Sequence, residues 1–331
     1  MPRSPFVPAT LLVVIVAAMA GLFAGSYTYA MANPTPRTIP AALVGVWDGP
    51  RGARFLAGME DALHASLRTR RFGSRRAAVA AVDDQRMFAV LDAPTADGKV
   101  SVDVSGASGA AVAQVLLTAA VKVGAATGTP VAVRDLRPLQ RGDPRGLAIF
   151  YVSIAAVIIG FVGAIQLSVH ARELSAPERI AFTLAYALLG GFAIVAVVDW
   201  LLGALRLPFV ESWLILAFTM FVSGMVFTMF NTLVGRWAVL PTWGLMVVVG
   251  NPSSGGAVSW PLLPSPLGLI GRWLPPGASV NAQHTAVYFA GHQHAFPFLV
   301  LTAWAVLSCT VFCVWRERHP GGRPAPPVEP P

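Results

Sequence analysis

The sequence predicts an α-helical polytopic membrane protein of six spans with an inserted extracytoplasmic α/β domain. Three observations lead there. Only 12% of the 331 residues are charged and 55% are hydrophobic, whereas soluble domains carry about 25% charge. Apolar runs near bilayer length recur along the chain. Most of the charge falls in one block, residues 33–146, which alternates strand-like and helix-like patterns.

The first run, 11–31, is uncharged and long enough to cross a bilayer as a helix. Its end, with Ala30 and Ala32, also resembles a signal-peptidase site; a retained anchor is preferred. Residues 41–47 read as a strand and 53–70 as an amphipathic helix, with Phe55, Met59, Leu63 and Leu67 at helical spacing. A short helix follows at 74–85. Strand candidates begin at Met87 and Lys99, a long helix fills 109–126 and a strand begins at Thr129. Strands alternating with helices indicate a compact α/β domain. The remaining spans are 147–169, 180–204, 212–234, 236–250 (short, with Pro241 inside) and 296–315.

Short-loop arginines set the orientation. With the N-terminus inside, Arg3, Arg172, Arg179, Arg236, Arg316, Arg318 and Arg323 fall on the cytoplasmic side, against Arg206 and Arg272 outside. The expected topology has both termini cytoplasmic in the plasma membrane, 33–146 outside and a disordered Pro-rich tail at 316–331. The net charge of +8 is thereby a topological signal, and nucleic acid is not an expected partner.

No phosphate-binding loop, Gly-x-Ser-x-Gly elbow, His-Glu-x-x-His helix or Cys-x-x-Cys pair occurs in the sequence. The chain is therefore not read as an enzyme, and no cofactor or metal is expected. Cys309 and Cys313 share one face of an apolar helix and are read as packing residues. His284, His292 and His294 are read as exposed loop histidines in preference to a metal site. Ala156, Gly160 and Ala164, at four-residue spacing, predict close helix packing. Asp199, near the end of its span, is a candidate pathway residue; an interfacial carboxylate that water can reach, with Arg206 close in sequence as a candidate partner, is the preferred reading. Trp243, Trp260, Trp273 and Tyr288 are expected to anchor the outer boundary.

Residues 251–289 are irregular. Asn251 and Pro252 are expected to stop a helix, and Gly255 and Gly256 to supply unusual backbone angles. "SPLGLIGRWL" then has amphipathic helical spacing, Pro275-Pro276-Gly277 breaks it, and Ser279 caps a second short helix to Phe289. The pair reads as a re-entrant segment, since non-helical backbone at membrane depth must be shielded or face a water-filled cavity.

One span, a large outer domain, five further spans and this outer stretch resemble ABC-2-type permease-like proteins. More narrowly, the layout resembles the Pip/YhgE-like group (phage infection protein and relatives) in its short actinobacterial form. "RGDPRGLAIFYVSIAAVIIGF" (141–161), "NPSSGGAVSWPLLP" (251–264) and "WLPPGASVNAQHTAVYF" (273–289) carry the likeness. The resemblance implies export of a hydrophobic or envelope-bound substrate, a separate ATPase subunit as partner, pairing as a homodimer or with a related permease, and contact with membrane lipid. The loop 170–180, with Arg172, Glu173, Glu178 and Arg179, is the candidate docking site for that ATPase. The resemblance also admits a non-transporting envelope scaffold, secretion accessory or surface receptor whose outer domain binds a partner.

Overall fold

A computed structural model describes residues 6–32 and 34–319. The chain begins with α1 (Phe6–Met31), then β1 (Thr38–Val44), α2 (Pro50–Leu63), β2 (Ser66–Phe72), α3 (Arg75–Asp83), β3 (Ala89–Asp92), β4 (Val100–Val104), α4 (Ala110–Thr127) and β5 (Val131–Asp135). The strands form one sheet of order β2-β1-β3-β4-β5. Only the β3–β4 pair is antiparallel. Strand alternation sorts the side chains onto two faces. Ile39, Ala41, Leu43, Leu91 and Val102 pack with α2 and α4, whereas Ala42 and Val90 pack with Ala78, Ala81 and Val82 of α3. On the α3 face, Arg75 bridges Asp92 and the buried Asp103 across β3 and β4. Burial is the main influence on the Asp92 carboxyl and raises its pKa, with Arg75 opposing.

The expected helix over 53–70 ends early. Its C-cap, His64, takes a left-handed conformation (φ 50°), and residues 66–72 form β2. This strand is an edge with only Leu67 buried. Its arginines belong there because charge protects an exposed sheet edge. Glu60 fixes the turn by accepting the Leu67 N–H at 2.8 Å.

The helical part comprises α5 (Ala148–His170), α6 (Ala176–Val195), α7 (Phe209–Val234), α8 (Val239–Trp243), α9 (Ser265–Ile270), α10 (Pro275–Tyr288) and α11 (Ala295–Arg318). Six helices are long and apolar enough to cross a membrane: Ala9–Met31, Ala110–Thr127, Ala148–His170, Ala176–Leu201, Phe209–Gly250 and Ala295–Arg318. This is the pattern of a multi-pass membrane protein. Two of the six need a closer reading. Ala110–Thr127 is α4, whose buried face (Val112, Leu116, Ala120 and Val123) lies against the sheet and α2. Phe209–Gly250 is broken at Gly235, where φ is 57°. The chain turns back there, so α7 and residues 235–250 form two limbs, as the separate runs 212–234 and 236–250 anticipated.

α7 is the hub, packing against α5, α6, α10 and α11. Small residues permit the approach. A Cβ at Gly160 would lie 2.5 Å from the Met220 carbonyl oxygen, and one at Gly191 would lie 2.7 Å from the Ala217 nitrogen. Ala156 and Ala164 are buried in the same seam. Side chains tie the helices through backbone carbonyls: Tyr186 donates to Gly160 (2.6 Å) and Ser223 to Val157 (2.6 Å). Gly160 thus occupies the packing position its spacing suggested.

α10 is too short to span. Its 14 residues reach about 21 Å, against a hydrocarbon core of about 30 Å. Ser279, near its start, accepts from Thr219 at 2.8 Å, while Gln283 donates to the Ser212 carbonyl at 2.7 Å. α10 therefore runs antiparallel to α7, from mid-bundle toward the sheet. Contrary to expectation, Pro275-Pro276 opens this helix instead of breaking one. Proline is tolerated in a first turn, and Leu274 before it is extended (φ −101°), as a pre-proline residue prefers. Ser279 is consequently a buried helical residue and not a cap.

Candidate functional site

A cavity of about 710 Å³ lies between the α/β unit and the helix bundle. Three segments form most of its wall, namely the loop 106–111 at the start of α4, the irregular stretch 253–260, and the dip made by α9, α10 and the start of α11; Arg68, Gln85, Phe88, Leu139, Arg145 and Gly146 complete it.

The loop after β4 is held from beneath. Asp135 accepts from the Gly106 and Arg137 amides, both at 3.0 Å. The Ala107 N–H donates to the Arg137 carbonyl (2.7 Å), and Ser105 and Ser108 join through their hydroxyls (2.7 Å). Arg137 is itself fixed by a two-point pair with Asp83 at 2.7 and 2.9 Å, which raises the guanidinium pKa. Gly106 is required here, because a Cβ would strike the Asp135 carboxylate. The N-cap of α4 is Gly109, which has no side-chain cap, and the Ser259 side chain packs against it so closely that a Cβ there would have no room.

The opposite wall begins where 235–250 ends. Asn251 and Pro252 are buried, and Asn251 neighbours Tyr27 of α1. Both sit behind the cavity wall and stop the helix, as expected. Gly255 and Gly256 line the cavity. Gly255 has a φ of 82°, but Gly256 is needed for proximity: a Cβ there would meet Phe150 at 3.0 Å and Val280 at 3.1 Å. From 258 the chain enters the sheet's own core through Val258, Leu262 and Leu263. It then dips toward Trp273, whose carbonyl accepts from Trp304 Nε1 at 2.9 Å.

The α/β unit grips both ends of this dip. At the entry, the Arg37 amide donates to Pro261 (3.3 Å) and its guanidinium to Ser265 (2.6 Å). At the exit, Asp84 pairs with His292 (2.9 Å), the Asp84 carbonyl accepts from His294 (3.1 Å), and Gln85 donates to Thr285 (2.6 Å). The reading of the three histidines as exposed loop residues is therefore corrected. His292 and His294 form a clasp, and His284 lines the cavity from α10. Contact with Arg86 first, then with His292, holds the Asp84 carboxyl below its usual pKa. A depressed carboxylate contributes stability above its unfolded value of 3.8 and loses it as pH falls through the folded value. Acidification should thus release the 289–294 loop, and Asp84→Asn should release it already at neutral pH. The expected cost is about 0.5–1 kcal/mol, because the pair is partly exposed. Hydrogen-exchange protection of 289–294, corrected for intrinsic rates, reads both; protection unchanged by the substitution would refute the clasp.

The tryptophans make specific ring contacts. Trp243 lies midway along the return limb and packs near Phe23 of α1 (6.3 Å). Trp260 contacts Phe88 of the α/β unit edge-on (5.6 Å), and Trp273 contacts Phe296 (4.9 Å). Their rings thus join segments to one another. Asp199 falls in a π-helical turn, Ala196–Leu201, away from the cavity lining. The candidate ion pair with Arg206 is absent among the described residues. Leu205 and Leu207 are buried, which turns the intervening Arg206 outward, and the Arg206 backbone instead exchanges two hydrogen bonds with Gln140.

The loop 170–180 is largely consumed by its own structure. Glu178 completes a capping box with Ser175 (2.7 Å to the amide). Arg179 is buried and donates to the Ala171 carbonyl (2.9 Å), while Arg316 donates to Leu174 (2.7 Å). Arg172 and Glu173 remain exposed. Cys309 and Cys313 are free thiols, each half-buried. The tail expected at 316–331 is helical at its start, because α11 continues to Arg318; Arg3, Arg323 and the residues from 320 onward lie outside the described residues.

Sequence reasoning did not find the residues that give the cavity its charge, Arg68, Arg145 and Arg272. Arg68 is one of three arginines on β2, Arg145 follows Arg141 in the loop before α5 and Arg272 lies in the dip; nothing in the sequence links the three, and only the folded chain assembles them. Comparison with protein-family profiles, curated proteins and solved structures gives no match to this chain.

Proposed function

We propose that this chain is a membrane-embedded, ABC-2-type permease-like subunit that passes a hydrophobic or envelope-bound substrate, working with a separate ATPase. The observation that supports it is the cavity: about 710 Å³, walled on one side by helices that dip only halfway through the bundle. A space of that size holds a small amphiphile. A half-crossing helix with broken backbone before it is also the element membrane transporters use beside a substrate path. In this reading the α/β unit lies outside the cell, receiving what leaves the bundle.

A second reading, a non-transporting envelope scaffold or secretion accessory, is favoured by the loop 170–180. With Glu178 and Arg179 engaged internally, only a short surface with Arg172 and Glu173 is left to meet an ATPase. Purification of the full chain in mild detergent, with identification of co-purifying proteins, separates the two. Under the permease reading an ATPase is recovered, and the double reversal Arg172→Glu, Glu173→Arg releases it. A stable complex with no ATPase overturns that reading in favour of the scaffold.

A further inference from the structure

The cavity has a chemical bias beyond its size. Arg68, Arg145 and Arg272 line it, and no Asp or Glu does among the described residues. None of the three arginines makes an ion pair there. Arg272 rests over the Trp273 ring at 5.8 Å, a contact that leaves the guanidinium's hydrogen-bonding edges free. Unpaired cations around one concavity raise the local concentration of anions.

The other half of the lining is apolar and faces outward. Leu269 is 61% exposed, Trp273 55% and Phe296 38%. These residues sit on the dip, at bundle depth, where the Trp273 carbonyl meets Trp304 of α11. A soluble anion would gain nothing from that wall. An acyl chain would cover it, at about 25 cal/mol per Å² removed from water.

We propose that the cavity binds an amphiphile with a phosphate-type anionic headgroup, its headgroup against Arg145, Arg272 and Arg68 and its apolar chain over Leu269, Trp273 and Phe296. Guanidinium groups match phosphate oxygens in two-point geometry, which selects phosphate over a diffuse negative charge. This names the substrate class for the cavity and rests on the permease reading for its role in transport; the binding itself is measured without transport.

The test is titration of the purified full chain, in neutral detergent, with dioctanoyl phosphatidic acid, dioctanoyl phosphatidylcholine and inorganic phosphate, read by calorimetry. The phosphatidic acid is expected to bind at least about tenfold more tightly than either of the others, tenfold being 1.4 kcal/mol. Arg145→Gln with Arg272→Gln is expected to erase that preference. Both residues are exposed, so the fold is retained, as circular dichroism will verify. Arg141→Gln, exposed and outside the lining, is expected to leave the preference intact. Equal binding of the choline and phosphate lipids overturns the proposal, as does a double variant with the preference unchanged. Phosphate binding as tightly as the lipid overturns the amphiphile and assigns the site to a free anion. None of these outcomes bears on recovery of an ATPase, so the failure of this inference and of the permease reading are told apart.

Discussion

Replacing Gly160 with valine should separate α5 from α7 and lower stability by about 3 kcal/mol or more. The obstruction is backbone: the position of a Cβ lies 2.5 Å from the Met220 carbonyl oxygen and 2.9 Å from its Cα. A helix cannot turn its own carbonyl aside as a side chain changes rotamer, so the pair must move apart. Overpacking of a well-filled interior costs about 1–3 kcal/mol, occasionally more. The shift would also stretch the 2.6 Å bonds from Tyr186 to Gly160 and from Ser223 to Val157. A graded series is the check: thermal denaturation in detergent should fall from Gly160 to alanine to valine. Gly25→Ala, where no atom lies within 4 Å, should be neutral. A valine variant as stable as the parent would refute the close seam.

Arg75→Met is expected to cost the α/β unit about 3 kcal/mol, the lower end of the range for stripping the partner from a buried charge. The lower end applies because Arg75 is itself 41% exposed while Asp103 is 1% exposed. The substitution keeps an unbranched apolar stem but leaves the buried Asp103 carboxylate without its cation in the sheet's α3 face, beside Asp92. Two consequences follow from the sign of the electrostatics. The loss should shrink as pH falls, because protonating the carboxylates removes the uncompensated charge. Asp103→Asn should rescue Arg75→Met, so the double-mutant cycle shows strong coupling. Chemical denaturation of the full chain at several pH values measures both. A pH-independent loss with no rescue would mean that Arg75 acts through packing alone.

The parts of the fold legible in the sequence were those with a strong period or a long apolar run. Residues 109–126 carry a helical pattern, and α4 spans 110–127; the strand beginning at Lys99 appears as β4, with Val100, Val102 and Val104 inward. β2 was hidden because an edge strand with one buried side chain has no alternation to read. The start of α10 was hidden because a proline pair reads equally as a breaker and as a first turn, and only the extended Leu274 decides. At the site, the two glycines of 255–256 were legible and the arginines were not. Arg272 carried one faint signal, as a cation on the side where the short loops are otherwise nearly free of them. Arg68 and Arg145 carried none, since their meeting depends on how the sheet sits on the bundle. Glu178 and Arg179 were legible as charges, but a charge's partner lies in the fold: one closes a capping box, the other reaches a carbonyl eight residues back.

The dip between Pro261 and His294 is fastened to the α/β unit at both ends, by Arg37 before it and by Asp84 and Gln85 after it. A segment held this way behaves as a strap of fixed length. α10 cannot slide along α7 unless the sheet follows or one fastening opens, so displacement within the bundle and tilting of the sheet are a single coordinate. The two fastenings also differ in kind. The first is backbone and hydroxyl, insensitive to acid, and the second includes the Asp84 carboxylate. Acid would therefore loosen the strap at one end only, where the bonds from Gln85 and His294 remain, and so favour a hinging motion with its pivot at Arg37.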